Sequence, residues 1–360
     1  MADHAPSLSR RRLLQLAGLG GAAVATAGLG GCGVAAVGQL LSVRGELPQP
    51  WLKALPDGWR SRPVESPQAL LDQLQAPLQL PALLSLGDGW AAELSPDRLL
   101  PMQAPGLLAL LDPIAAAPSR LFAAPGTAPL AFPWAFGTWV LLLRNRADLL
   151  RRRAEGWTLL LDPSLRGRLV LPASPRLLME LACRQLGLSS ADSSAVDDPR
   201  LPDQLRQLRQ QALSLDERDG LNFLLAGDAD AAVIPSQRAL PLLQRDPRLE
   251  ALLPDSGSPL WWQLLLRARP AGSGAAVPPL PLEWLRDGLD LPMLDRLLAA
   301  GWVPPLPRAK LAAALARWPQ RLRPLLLPSE AVLARCSNLV PLTAAEREHW
   351  QQIWDASSPG

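Results

Sequence analysis

The sequence predicts an α/β protein in which short buried strands alternate with helices. Three observations carry that expectation. Leucine-rich or branched runs of strand length recur at residues 40–43, 81–86, 139–143, 168–171 and 231–234, and such runs bounded by Gly, Pro or Asp suit strands buried on both faces. Between them lie segments with apolar residues three and four apart, the spacing of a helix with one face inward. The stretch 157–188 shows one unit whole: Leu171 closes a strand, Ser174 takes the N-cap place and Pro175 the first helical position. Leu177, Leu178, Leu181 and Cys183 then share one face until Gly187 stops the helix. Strand, turn and capped helix make half of a βαβ unit, whose strand ends and helix N-termini commonly build ligand sites.

Composition narrows the function. A chain of 360 residues that is 48% hydrophobic and 19% charged can bury a large core, which excludes a disordered protein. Its formal charge is only +3, much of it from Arg10, Arg11 and Arg12, so no nucleic-acid patch is implied. His4 and His349 are the only histidines, which leaves histidine triads and most zinc sites without material. Tyrosine is absent and tryptophan occurs 13 times, so any aromatic recognition surface must be mostly indole.

In chain order, residues 1–31 read as a signal peptide. Ser9-Arg10-Arg11-Arg12-Leu13-Leu14 resembles a twin-arginine export motif, residues 16–31 are apolar and small, and Leu29-Gly30-Gly31-Cys32 resembles a lipobox. Cleavage before Cys32 and lipidation of its thiol would anchor the chain outside the cytoplasmic membrane. An uncleaved anchor is the alternative, poorly served by a Gly- and Ala-rich run beside the roughly 20 strongly apolar residues a span needs. Outside that membrane Cys183 and Cys336 are free to pair; the apolar face around Cys183 favours two separate thiols over a bridge.

A strand at 40–43, a helix or turn near 51–59 and an amphipathic helix at 67–75 precede the run 81–86, which ends in Gly87-Asp88-Gly89-Trp90. Glycines on both sides of Asp88 let the chain turn sharply and leave the carboxylate free at a strand's C-terminal end. Asp88 is a candidate partner for a cationic group, and Trp90 for an ammonium or alkyl chain. A turn aspartate beside a core tryptophan is the competing reading. Residues 131–138, AFPWAFGT, lead into the strand 139–143, and alternation places Trp134 and Phe136 on one side of an extended segment. Further on, 202–215 reads as a charged helix, Asp228 and Asp230 as turn residues, and 231–234 as a strand delivering Ser236. In Leu260-Trp261-Trp262-Gln263, adjacent rings on a strand face opposite sides, so one of them is core. Helices at 282–298, 330–334 and 344–354 finish the chain.

The order of four passages resembles the polyamine (spermidine/putrescine)-binding type of solute-binding protein that serves bacterial ABC importers, a type 2 periplasmic binding protein. The passages are Pro133 to Thr138, Trp157 through Leu186-Gly187, the run from Pro254 to Trp261, and Gly301-Trp302-Val303-Pro304-Pro305. The resemblance implies a two-lobed α/β fold, each lobe a mixed sheet flanked by helices, joined by two crossover strands. Residues 40–143 and 264–360 would form the first lobe and 144–263 the second. It also implies a small solute gripped by Asp88 and Trp90 from the first lobe and by Ser174, Ser236, Trp261 and Gln263 from the second. Trp134 and Phe136 would lie near the hinge. No cofactor or metal is implied; the partners are the solute, a permease with its ATPase, and the membrane through the lipid on Cys32, for a chain acting as a monomer.

Two positions depart from that family. Polyamine binders place acids near the start of the second-lobe helix and two residues after the crossover tryptophan, where this chain has Ser174-Pro175-Arg176 and Gln263. Several ammonium groups buried without carboxylates are costly, and only Asp88 and Glu46 remain to offset them. A monocation, a zwitterion, a neutral amide, or an anion held by Ser174 and the helix N–H groups all stay open. The expected function is solute capture for an ABC transporter, with a polyamine-like or other amine as solute. The alternative is an exported lipoprotein that keeps the fold but has lost its ligand, in an assembly or sensor role. An exported enzyme has no Gly-x-Ser-x-Gly elbow, His-x-x-x-His pair or phosphate loop behind it.

Overall fold

The computed structural model describes residues 38–75, 82–188, 193–270 and 278–358. The signal peptide and Cys32 expected from the sequence lie outside them. Strands appear where the apolar runs demand them: β1 (Gly38–Val43), β2 (Trp59–Val64), β3 (Ala82–Gly87), β4 (Leu99–Leu100), β5 (Ala131–Arg144) and β6 (Leu169–Leu171). They continue with β7 (Ala212–Leu215), β8 (Ala231–Pro235), β9 (Leu249–Leu252), β10 (Pro259–Ala268) and β11 (Ser337–Asn338).

Pairing runs β2-β1-β3-β10-β5-β8-β6-β7, with β4 and β11 on β10 and β9 on β5. At one end β1 lies parallel to β2 and β3; at the other β6 lies parallel to β7 and β8. Two antiparallel strands join these ends. The first part of β5 pairs with β10, while from Trp139 onward it pairs with β8 and β9. In β10, Gln263 to Ala268 pair with β3. A mixed α/β architecture flanked by helices follows, with each strand group forming a lobe and β5 and β10 serving as the crossovers.

Two hydrophobic clusters account for the layers. One fills the first lobe around Leu41, Leu84 and Trp284 and runs through β5 and β10 onto one face of the second-lobe sheet. The other fills the opposite face of that sheet with Trp157, Leu181 and Leu205. Strands buried on both faces need the continuous apolar runs seen in the sequence.

The 157–188 unit folds as its residues dictate. Ser174 Oγ accepts the Leu177 N–H at 3.3 Å, Pro175 opens the Pro175–Gln185 helix, and Gly187 leaves it at φ +72°. Cys183 and Cys336 are separate thiols.

Three features differ from the sequence expectation. The strand β2 carries exposed Arg60, Ser61 and Arg62, an edge-strand pattern with no apolar run to announce it. The helix expected over 202–215 spans only Leu201–Gln211, and its last residues become β7, paired to β6. The C-terminal residues also divide between the lobes. The Leu282–Asp287 helix packs in the first, whereas Trp350 and Ile353 of the Ala344–Ala356 helix belong to the second-lobe cluster. The chain thus passes between lobes a third time, where β11 lies parallel to the start of β10. Buried Glu180 holds Arg184 at 2.9 Å, and that guanidinium also donates to the carbonyls of Ser256 and Arg335 and to Ser337 Oγ. This clasp fixes the third passage.

Candidate functional site

A cleft of about 1220 Å³ opens between the lobes. Its first-lobe wall comes from the end of β3 and the short Asp88–Ala91 helix, with Asp88, Trp90 and Glu93 facing the space, and from Ser66 and Gln68 of the Pro67–Gln75 region. Its second-lobe wall is the start of the Pro175–Gln185 helix, with Ser174 and Arg176, and the turn after β7, with Glu217 and Arg218. Val340, Leu342 and Arg347, from the third passage and the final helix, complete it.

Asp88 sits at the C-terminal end of β3, where pairing of Gly87 with Gln263 brings it under β10. Its carboxylate accepts the Trp262 N–H at 3.3 Å. Loss of water around this half-buried group raises its pKa to about 7, and the backbone N–H groups of Trp262, Gly89 and Asp88 hold that rise back only in part. Asp88 makes no ion pair among the described residues. Trp90 is 40% exposed, its ring open to the cleft.

On the opposite wall Arg176 lies over the Trp350 ring, 4.1 Å from its centre. Its Nε and Nη1 find no hydrogen-bond partner, and burial lowers its pKa. The neighbouring turn is tightly held. Glu217 accepts the Ala173 N–H at 2.8 Å, Asp216 accepts the N–H groups of Arg218 and Asp219, and Arg238 donates to the carbonyls of Glu217 and Arg218. Two ion pairs reach across from the first lobe: Arg218 to Glu46 at 3.3 Å and Arg347 to Glu93 at 3.7 Å.

Among the described residues no cluster of His, Cys, Asp and Glu is able to hold a metal ion, and no helix is long and apolar enough to cross a membrane. No protein-family description matches the sequence, and no curated protein is similar to it in sequence. Solved structures do match in shape. The spermidine/putrescine ABC transporter substrate-binding protein PotD of Streptococcus pneumoniae superposes with a TM-score of 0.69 at 13% identity, covering 89% of this chain and 97% of that one. An ABC transporter substrate-binding protein of Bradyrhizobium japonicum gives 0.64 at 13% identity, with 89% and 99% covered. The TpPotD lipoprotein of Treponema pallidum gives 0.61 at 14%, with 89% and 98% covered.

The chain has the fold of ABC-transporter solute-binding proteins.

Within that solute-binding fold, the residues expected at the site separate into two groups. Asp88, Trp90 and Ser174 line the cleft together. Trp134, Phe136, Ser236, Trp261 and Gln263 are not part of its lining: the first four are buried in the crossover region and Gln263 is half-buried beside it. Trp134 is 1% exposed, its ring centre 4.9 Å from that of Trp302 and 5.2 Å from that of Trp51. Phe136 stacks on Trp262 at 5.1 Å. Ser236, also buried, opens the Ser236–Arg245 helix and accepts the Thr138 N–H at 3.4 Å. Trp261 donates from Nε1 to the Thr138 carbonyl at 3.1 Å and meets Trp302 edge-on. Gln263, half-buried where β10 pairs with Gly87, lies beside Glu46 and helps to hold down the pKa of its carboxyl.

The placement of Trp134 and Phe136 on one side also fails. The register between β10 and β5 shifts at Gln263/Leu264, where Ala135 and Pro133 are the partners and Trp134 is the extra residue. This bulge breaks the alternation, so Phe136 shares a face with its partner Trp262 while Trp134 and Trp261 meet Trp302 on the other. Pro133, which lacks an N–H, is tolerated at such a bulge. The residues that do face the cleft but were missed, Glu93, Arg98, Glu217, Arg218 and Arg347, come from turns and helix ends and carry no local motif.

Proposed function

We propose that this chain is the extracytoplasmic solute-binding component of an ABC importer and captures a small amine-bearing organic solute between its lobes. The observation that carries the reading is a roomy cleft walled from both lobes, with a desolvated, unpaired carboxylate at Asp88 and an open indole at Trp90. A cation seated there would restore the ionised carboxylate and gain the face of the ring. Ligand contacts from both walls are what hinge closure requires, and Ser174 offers one from the second lobe. The neighbours named for spermidine/putrescine transport support the class of partner, a permease with its ATPase, and one of them is a lipoprotein. Twin-arginine export, lipidation at Cys32 and action as a monomer belong to the same proposal, and no covalent chemistry is needed.

The second reading, a lipoprotein that keeps the fold without its ligand, is favoured by the crossover region, where Trp134, Phe136, Trp261 and Trp262 are buried against one another and their neighbours rather than presented to a solute. A thermal-shift panel of polyamines, amino acids and quaternary amines on the full chain separates the two. A bound solute raises the unfolding midpoint. A panel that leaves it unmoved at millimolar concentration favours the second reading.

A further inference from the structure

Three acids of the first lobe, Glu46, Asp88 and Glu93, stand at or beside the cleft, and two of them meet an arginine from the far side. Glu93 has Arg347 at 3.7 Å. Glu46 has Arg218 Nη2 at 3.3 Å on Oε1. Glu46 is itself not part of the cleft wall; Arg218, which is, stands against it. The turn that carries this half-exposed arginine is fixed through its backbone, because Arg238 ties the carbonyls of Glu217 and Arg218 and Asp216 caps the same turn. Glu46 is largely buried; burial pushes its carboxyl up, and the Arg218 charge is the main force restraining that rise, with Gln263 a lesser one. A buried carboxylate needs a counter-charge, and here a guanidinium of the chain supplies it. Asp88 has only backbone N–H donors.

We infer that Arg218 is a specificity-determining residue: it occupies, on Glu46, the place that a second cationic group of a solute would take, so the cleft accepts solutes with one positive charge and rejects oligoamines. The inference rests on the solute-binding reading of the cleft. It also gives the missing acids of the polyamine pattern a physical counterpart, since the one further carboxylate near the crossover is already neutralised from within.

The test is titration calorimetry of the full chain with spermidine, a triamine. Arg218→Ala is expected to bind spermidine at least about tenfold more tightly than the unaltered chain. Arg218→Lys, which keeps the charge, is expected to retain the unaltered affinity, and adding Glu46→Gln to Arg218→Ala is expected to abolish the gain. If Arg218→Ala does not fold, Arg218→Gln replaces it and is read in the same way. Equal spermidine affinity with and without Arg218, tight or undetectable, overturns the inference while leaving the thermal-shift panel to judge solute binding. Conversely, a chain that no solute stabilises but whose Arg218→Ala form gains spermidine would sink the transport reading and keep the counter-ion.

Discussion

Along the crossover strands, Trp134, Phe136, Trp261, Trp262 and Trp302 are all at most 9% exposed and stacked, tilted or edge-on to one another, with the Trp134 indole N–H buried and unpartnered. At the cleft wall, Trp90 stands 40% exposed among carboxylates and guanidinium groups. The same residue type serves cohesion in one region and is offered to solvent in the other. The difference is set by backbone context: paired strands press the crossover rings together, whereas Gly87, Asp88 and Gly89 lift Trp90 off a strand end. On the proposed reading stability resides in the first region and recognition in the second, and substitutions in each should move one quantity without the other.

The largest effect is expected from Trp261→Ala, which empties a buried indole site and should cost about 3–5 kcal/mol in urea unfolding. Affinity for any solute found by the thermal-shift panel should hardly change; a variant that keeps its stability and loses the solute would invert the comparison. Gly137→Ala comes next. A methyl there would lie 2.5 Å from the Trp261 ring and 2.6 Å from Ser236 Oγ, both fixed in the core. The expected loss is about 1–3 kcal/mol, and a midpoint equal to that of the unaltered chain would show the crossover to be loosely packed.

Asp88→Asn tests the other region through pH. With its folded pKa raised to about 7 from 3.8, Asp88 binds its proton more tightly in the folded chain. Its contribution to stability is thus full below pH 3.8 and lost as pH rises through 7. The Asn variant lacks that loss, so it should equal the unaltered chain near pH 4 and exceed it at pH 8 by on the order of 1 kcal/mol. Parallel stability profiles for the two proteins would exclude a desolvated Asp88. The smallest stability effect belongs to Trp90→Ala, within about 0.5 kcal/mol, accompanied by a severalfold loss of affinity for the solute; unchanged binding would remove the ring from the site.

Much of the fold was legible because burial on both faces writes itself as apolar runs. β1, β3, β6 and β8 fall on such runs, and Ser174, Pro175 and Gly187 bound their helix as capping chemistry requires. The edge strand β2 was not, since its exposed arginines look like loop, nor was β7, whose four residues continue a helical pattern. At the site, Asp88 and Trp90 were readable from a glycine-flanked strand end, a local signal. Arg218 and Glu46 lie 172 positions apart, and no spacing rule connects them. Trp134 was misplaced for a similar reason: whether a ring faces a cleft or a core depends on a bulge opposite Gln263 that the sequence does not mark.

The clasp at Arg184 has a mechanical consequence. Two neighbouring ribbons, β5 and β10, leave a joint free both to bend and to swivel, but a third tie pinned to the carbonyls of Ser256 and Arg335 opposes the swivel. Any opening would then be confined to rotation about one axis, and because Trp350 carries the Arg176 guanidinium on its ring, the final helix would travel with the second-lobe wall.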